Sequence, residues 1–196
     1  MTSRSHQEDS SPFLSVWRPI WRTGDIEVAG PPSDPDGQEI HLFDGKPVDD
    51  TVLHFRIERD GEYPDFLYNR RLFMIVSPKA LQVIQSVADD SAATASRVRL
   101  TRAGHNPIES YSWLNIKHQI PVLDESSIVD SIKTSSGHFV RIDGFAILPG
   151  LDIQHHLFVC RETGSKILSR KLATAVKDEK LTGCKLQTLQ GLNWPF

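Results

Sequence analysis

Histidine and cysteine are the residues best suited to chemistry at neutral pH, and five of them fall between residues 138 and 184: His138, His155, His156, Cys160 and Cys184. A zinc centre needs three or four such ligands converging on one point, commonly as paired Cys/His motifs. His155 and His156 are adjacent, so in a strand they face opposite ways and only His156 shares a face with Cys160. Those two are about 13 Å apart at ~3.3 Å per residue, too far for one metal. Cys160 closes the apolar run Leu157-Phe158-Val159, where a thiol behaves as a small hydrophobe. A lysine beside Cys184 does not by itself lower a thiol pKa. The expectation is no metal, no cofactor and no cysteine nucleophile.

Other chemistries fare no better. The acidic pairs Asp49/Asp50, Asp89/Asp90 and Asp124/Glu125 sit in turn-like contexts, and nothing there separates an acid from a base. No Gly-rich phosphate loop and no Gly-x-Ser-x-Gly elbow occurs. Arg97, Arg99 and Arg102, with Tyr111 and Trp113 nearby, have the composition of a single-strand nucleic-acid platform. Charge argues against it. Residues 1–65 carry 14 Asp/Glu against 6 Lys/Arg, a balance of −8, while residues 66–196 carry 11 against 16, a balance of +5. A pI near 6.2 and an acidic opening would repel phosphate. The arginines read as a solvated face, the aromatics as core or cross-strand packing, and direct nucleic-acid binding is not expected.

The elements that must position these groups follow from patterning. With 196 residues, 39% hydrophobic and 24% charged, the chain has the composition of a globular protein able to bury a core without staples. No apolar run approaches the ~20 residues of a membrane span. Two cysteines and a polar start point to the cytoplasm. Residues 1–11 read as a disordered lead-in, and residues 12–196 as one α+β domain of mostly antiparallel strands. Strands are expected over Phe13–Ile20, with Pro19 marking an edge, and over Val52–Ile57, Leu72–Val76, Arg97–Arg102, Ser110–Ile116, Ile128–Ile132, His138–Ile142, His156–Cys160 and Cys184–Leu189. Ser77-Pro78 opens a helix with Ala80, Leu81, Ile84, Val87 and Ala88 on one face. Ser169 caps a second over Arg170–Glu179, with Leu172, Ala173 and Val176 inward and Thr182-Gly183 as its stop. The segments Ile75–Leu81 and Ile167–Ala173 share a strand end, a capping Ser, a Lys and an apolar helix face, which suggests a pseudo-duplicated strand–helix–strand unit.

Tyr63-Pro64-Asp65-Phe66, Ile75-Val76-Ser77 before a helix, Tyr111-Ser112-Trp113-Leu114-Asn115-Ile116 and Leu123-Asp124 together resemble a group of bacterial immunity proteins, the immunity-eleven type. His138-Phe139-Val140-Arg141-Ile142, Leu168-Ser169 and Leu181-Thr182-Gly183 continue the resemblance, which spans residues 63–189; residues 12–62 match poorly. The resemblance implies a small cytoplasmic protein that binds and blocks the toxin of a polymorphic toxin system, protecting producer and kin cells. It carries over no catalytic residue.

The partner expected on this reading is a cognate toxin with a basic active-site cleft. Residues 34–65 hold ten acidic and three basic side chains, enough to complement such a cleft and to speed encounter. The contact residues read from this segment are Asp49, Asp50, Asp60, Glu62 and Asp65, with Tyr63 and Tyr68 as aromatic anchors. An enzyme using the His/Cys or carboxylate groups, and an adaptor module outside any toxin system, are the alternatives at this point.

Overall fold

Leu53, Phe55 and Ile57 alternate with His54, Arg56 and Glu58, the period-two pattern of a half-buried strand. In the computed structural model of the protein these residues form that strand, its three apolar side chains inside. The structure describes residues 14–42, 52–135, 137–189 and 194–195; the expected lead-in over residues 1–11 lies outside them.

In chain order the first elements are β1 (Leu14–Pro19), β2 (Glu27–Val28), β3 (Leu53–Arg59), β4 (Phe66–Asn69), β5 (Ile75–Val76), α1 (Pro78–Val87), β6 (Ala93–Thr101) and β7 (Ser112–Ile116). Then come β8 (Gln119–Ile120), β9 (Leu123–Asp124), β10 (Asp130–Lys133), β11 (Phe139–Asp143), β12 (Ala146–Ile147) and β13 (Leu157–Cys160). The last are β14 (Lys166–Ser169), α2 (Arg170–Asp178), β15 (Cys184–Thr188) and β16 (Trp194–Pro195). Strands β2-β3-β6-β7-β5-β4 close into a barrel, and β15-β1-β14-β13-β8 form an open sheet. Most pairs are antiparallel; β2 with β4, β3 with β6, and β8 with β13 are parallel.

Both helices cross over in the same way. β5 and β6, before and after α1, pair antiparallel with the two sides of β7. β14 and β15, before and after α2, pair antiparallel with the two sides of β1. Ser77 Oγ accepts the Ala80 N–H at 3.1 Å and Ser169 Oγ the Leu172 N–H at 3.3 Å, each satisfying a first-turn donor that the helix leaves unpaired.

Strands buried on both faces divide the core into three. Inside the barrel, Ile26, Val28, Leu53, Phe55, Leu67, Ile75, Leu100 and Trp113 meet. The alternate side chains of its wall, Phe66, Val76, Leu114 and Ile116, face the helices (Ala80, Ile84, Leu172, Val176) and one face of the open sheet (Trp17, Leu157, Val159, Leu168). The other face of that sheet, with Val16, Phe158, Cys160 and Ile167, is covered by Val122, Leu123, Phe139 and Ile142. β13 shows why: all four of its residues are buried, odd positions toward the helices and even ones away. Tyr111 and Trp113 are core residues, 5% and 1% exposed.

Four local expectations change. β1 is interior rather than an edge; Pro19 is tolerated because β14 pairs only as far as Val16. The strand expected over Leu72–Val76 keeps only its last two residues, since Leu72 is exposed with φ +58°. The strand expected over Ile128–Ile132 starts at Asp130 and is exposed throughout. Helix α2 stops before Gly183: Lys180 takes the left-handed conformation (φ +53°) and the Leu181 N–H reaches back to the Val176 carbonyl at 3.1 Å.

Candidate functional site

Three of the expected contact residues come together at one corner of the barrel. The Glu62 N–H donates to the Gly24 carbonyl at 2.6 Å and the Ile26 N–H to the Glu62 carbonyl at 3.0 Å, fastening the turn after β3 to the start of β2. Gly61 permits this approach, because a Cβ there would lie 1.9 Å from the Gly24 oxygen. This puts Glu62 opposite Asp25, whose carbonyl accepts the Trp21 indole N–H at 3.1 Å, with Asp60 and Tyr63 in the same turn. The Arg59 guanidinium lies 4.7 Å from the centre of the Trp21 ring, a cation–π arrangement. Trp21 and Tyr63 remain 37% and 41% exposed. Asp60 forms an ion pair with Arg102. The Tyr63 hydroxyl is raised above the ordinary phenol value, chiefly by burial and then by the Asp60 charge, with Arg102 opposing. Arg59 and Arg102 therefore offset Asp60 and Glu62, and this corner is a mixed-charge surface with two exposed aromatics.

Asp65 has a different position. Its Oδ1 accepts the Ser77 hydroxyl at 2.7 Å, and its Oδ2 accepts the Thr182 N–H at 2.9 Å and the Thr182 hydroxyl at 3.0 Å. The surrounding backbone is tied as well, Ser77 N–H to the Asp65 carbonyl at 2.8 Å and Phe66 N–H to the Thr182 carbonyl at 3.0 Å. This carboxylate joins the entrance of β4, the start of α1 and the α2–β15 connection. Gly183 completes the knot with φ +83°, where a Cβ would meet the Phe66 oxygen at 2.1 Å. Buried Tyr111 donates its hydroxyl to the Pro64 carbonyl at 2.8 Å. Tyr68 is half-buried on β4, in register with Glu27. Asp49 and Asp50 lie outside the described residues.

The histidines regroup. His156 Nδ1 is 2.8 Å from Ser169 Oγ, beside the α2 cap, and the Cys160 thiol donates to Glu162 Oε2 at 3.2 Å. Burial first, with the Glu162 charge adding, pushes Cys160 up to about 12; burial, then the Asp65 charge, does the same for Cys184. His155 belongs to neither. It stacks on His118, ring centres 3.7 Å apart, with Nδ1 3.7 Å from Asp89 Oδ2. Among the described residues these three bring their possible ligand atoms within 4.8 Å of one another. Their separation in sequence, at positions 89, 118 and 155, gave no sign of the grouping; Trp21 lies in none of the patterns singled out in the sequence.

A family model, the immunity protein family Imm11, matches residues 21–191. The chain belongs to that family. The Imm11 match reaches well upstream of residue 63, so most of the acidic segment that resembled the family poorly lies within it. In this chain the short patterns meet in space: Tyr63–Phe66, Ser77, Tyr111 and Leu181–Gly183 are distant in sequence and come together around the Asp65 knot. Curated proteins gave no match. No helix among the described residues is long and apolar enough to cross a membrane.

Proposed function

We infer that this Imm11 protein neutralises a cognate bacterial toxin in the cytoplasm by stoichiometric binding, as part of a polymorphic toxin system, without catalysing a reaction. The observation that carries this reading is the family match across residues 21–191. The two split strand–helix–strand units read as a pseudo-duplicated scaffold, which leaves the barrel corner of Trp21, Asp60, Glu62 and Tyr63 free to serve as contact surface. Exposed aromatics framed by charges suit an interface centre, where Trp, Tyr and Arg dominate binding energy. A toxin with a basic cleft would meet Glu62 and Asp60; Asp49 and Asp50 belong to the same acidic stretch of sequence and lie outside the described residues. Asp65 is left out of this contact set, since its carboxylate is engaged within the protein.

Charge reversal at Asp60 and Glu62 together tests the surface. Association with the toxin encoded beside this gene should slow by about tenfold at low salt, because complementary charge acts mainly on encounter. The melting temperature should barely move, since an exposed ion pair such as Asp60–Arg102 contributes only about 0–1 kcal/mol. Association at the unchanged rate in low salt would place the interface elsewhere.

A further inference from the structure

Asp89, His118 and His155 come from three separate segments: the connection after α1, the corner between β7 and β8, and the approach to β13. Two of them, His118 and Asp89, are held from behind. The Lys117 N–H donates to the Ala92 carbonyl at 2.9 Å, and the Val159 N–H to the His118 carbonyl at 2.8 Å, locking the His118 backbone between the barrel and the open sheet. Asp89 Oδ1 accepts both the N–H and the hydroxyl of Ser91, which leaves Oδ2 directed at His155. Those bonds, the hydroxyl first, hold the Asp89 carboxyl below its ordinary range, so it is anionic at neutral pH.

The two imidazoles lie face to face, 14° from parallel. His155 Nδ1 is buried and lacks a hydrogen-bond partner, although a carboxylate oxygen stands 3.7 Å away. A buried ring nitrogen facing an anion across a gap too long for a hydrogen bond is an unsatisfied arrangement. A cation between them would satisfy it. Two nitrogens and one carboxylate oxygen are the donor set of three-ligand zinc sites, in which a fourth position is left to water or to a group from outside. With bonds of about 2.0–2.1 Å, ligand atoms around zinc stand roughly 3.3 Å apart; the three candidate atoms already lie within 4.8 Å of one another, and binding would turn the two imidazoles out of their parallel stack so that their in-plane lone pairs converge. All three residues are at least partly exposed, which gives an entry path.

We propose that Asp89, His118 and His155 form a binding site for one divalent transition-metal ion, zinc by its donor set, that clasps the barrel to the open sheet. The site is independent of the toxin contact. Neutral imidazole and carboxylate suit zinc and its neighbours rather than calcium or magnesium, which favour all-oxygen shells. The ion would cross-link segments distant in sequence, so its binding free energy adds to folding stability.

Purified protein, dialysed against chelator, is titrated with zinc chloride and read by calorimetry, by metal analysis after dialysis, and by melting temperature. Cobalt(II) in place of zinc gives a visible absorption band that reports nitrogen and oxygen ligation. One zinc per chain is expected, with a rise in melting temperature. His118→Ala, His155→Ala and Asp89→Asn should each weaken it at least about tenfold. His138→Ala and His156→Ala should leave it unchanged. Asp89→Asn, on an exposed loop, keeps the test open if a histidine variant fails to fold. Absence of stoichiometric zinc, or zinc that survives the double change His118→Ala/His155→Ala, would overturn the assignment, as would its loss in His156→Ala.

Discussion

Replacing Asp65 by Ala deletes the acceptor of three hydrogen bonds at once, from the Ser77 hydroxyl and from the N–H and hydroxyl of Thr182. Hydrogen bonds to charged groups contribute about 1.5–3 kcal/mol each when buried. Two of these three are solvent-exposed, so about 1 kcal/mol apiece is the appropriate scale, or roughly 3 kcal/mol in total. For a chain of this length each kcal/mol moves the melting temperature by about 2–4 °C, giving a fall of roughly 6–12 °C. Thermal unfolding followed by circular dichroism measures it. Asp65→Asn, which retains one acceptor oxygen, should lose about half as much. Combining Asp65→Ala with Ser77→Ala should cost less than the sum of the two by about 1 kcal/mol, since both remove the same bond. A melting temperature within about 1 °C of the starting protein would mean that the carboxylate is simply solvated, and would return Asp65 to the candidate contact surface.

Ser169→Ala should cost about 1 kcal/mol in chemical denaturation through the lost α2 cap, while the folded protein still binds its toxin. Gly183→Ala combines a φ of +83° with a Cβ 2.1 Å from the Phe66 oxygen; it should destabilise by more than about 3 kcal/mol or yield insoluble protein on expression. Cys160 and Cys184 are pushed from 9.0 up to about 12. A group raised on folding contributes stability that is complete below its unfolded value and lost as pH climbs through the folded one. Urea midpoints should thus fall between pH 9 and pH 12, and both thiols should resist alkylation at pH 8 until the protein is unfolded.

Local chemistry made the helices legible, because a Ser cap and an apolar stripe lie within a dozen residues of each other. β3 was legible for the same reason, through the alternation of Leu53, Phe55 and Ile57. The closure of the barrel was not: its two parallel pairs, β2 with β4 and β3 with β6, join strands whose partnership no short pattern encodes. Helix α2 was given the wrong stop because Gly183 is glycine for a different reason, the close approach of Phe66, while Lys180 accepts the left-handed turn. Charge counting placed Asp60, Glu62 and Asp65 in one acidic surface. It could not separate a carboxylate tied to Ser77 and Thr182 within the protein from those left on an exposed, mixed-charge corner. His155 was weighed against its sequence neighbours, His156 and Cys160, whereas the fold turns it toward His118 and Asp89.

The most direct test of the central claim is a titration of the purified toxin's activity with this protein. Stoichiometric binding predicts a linear fall that ends at one equivalent, with a complex of both chains recovered by size exclusion. Loss of toxin activity at far less than one equivalent, or no loss and no complex at several, would contradict it.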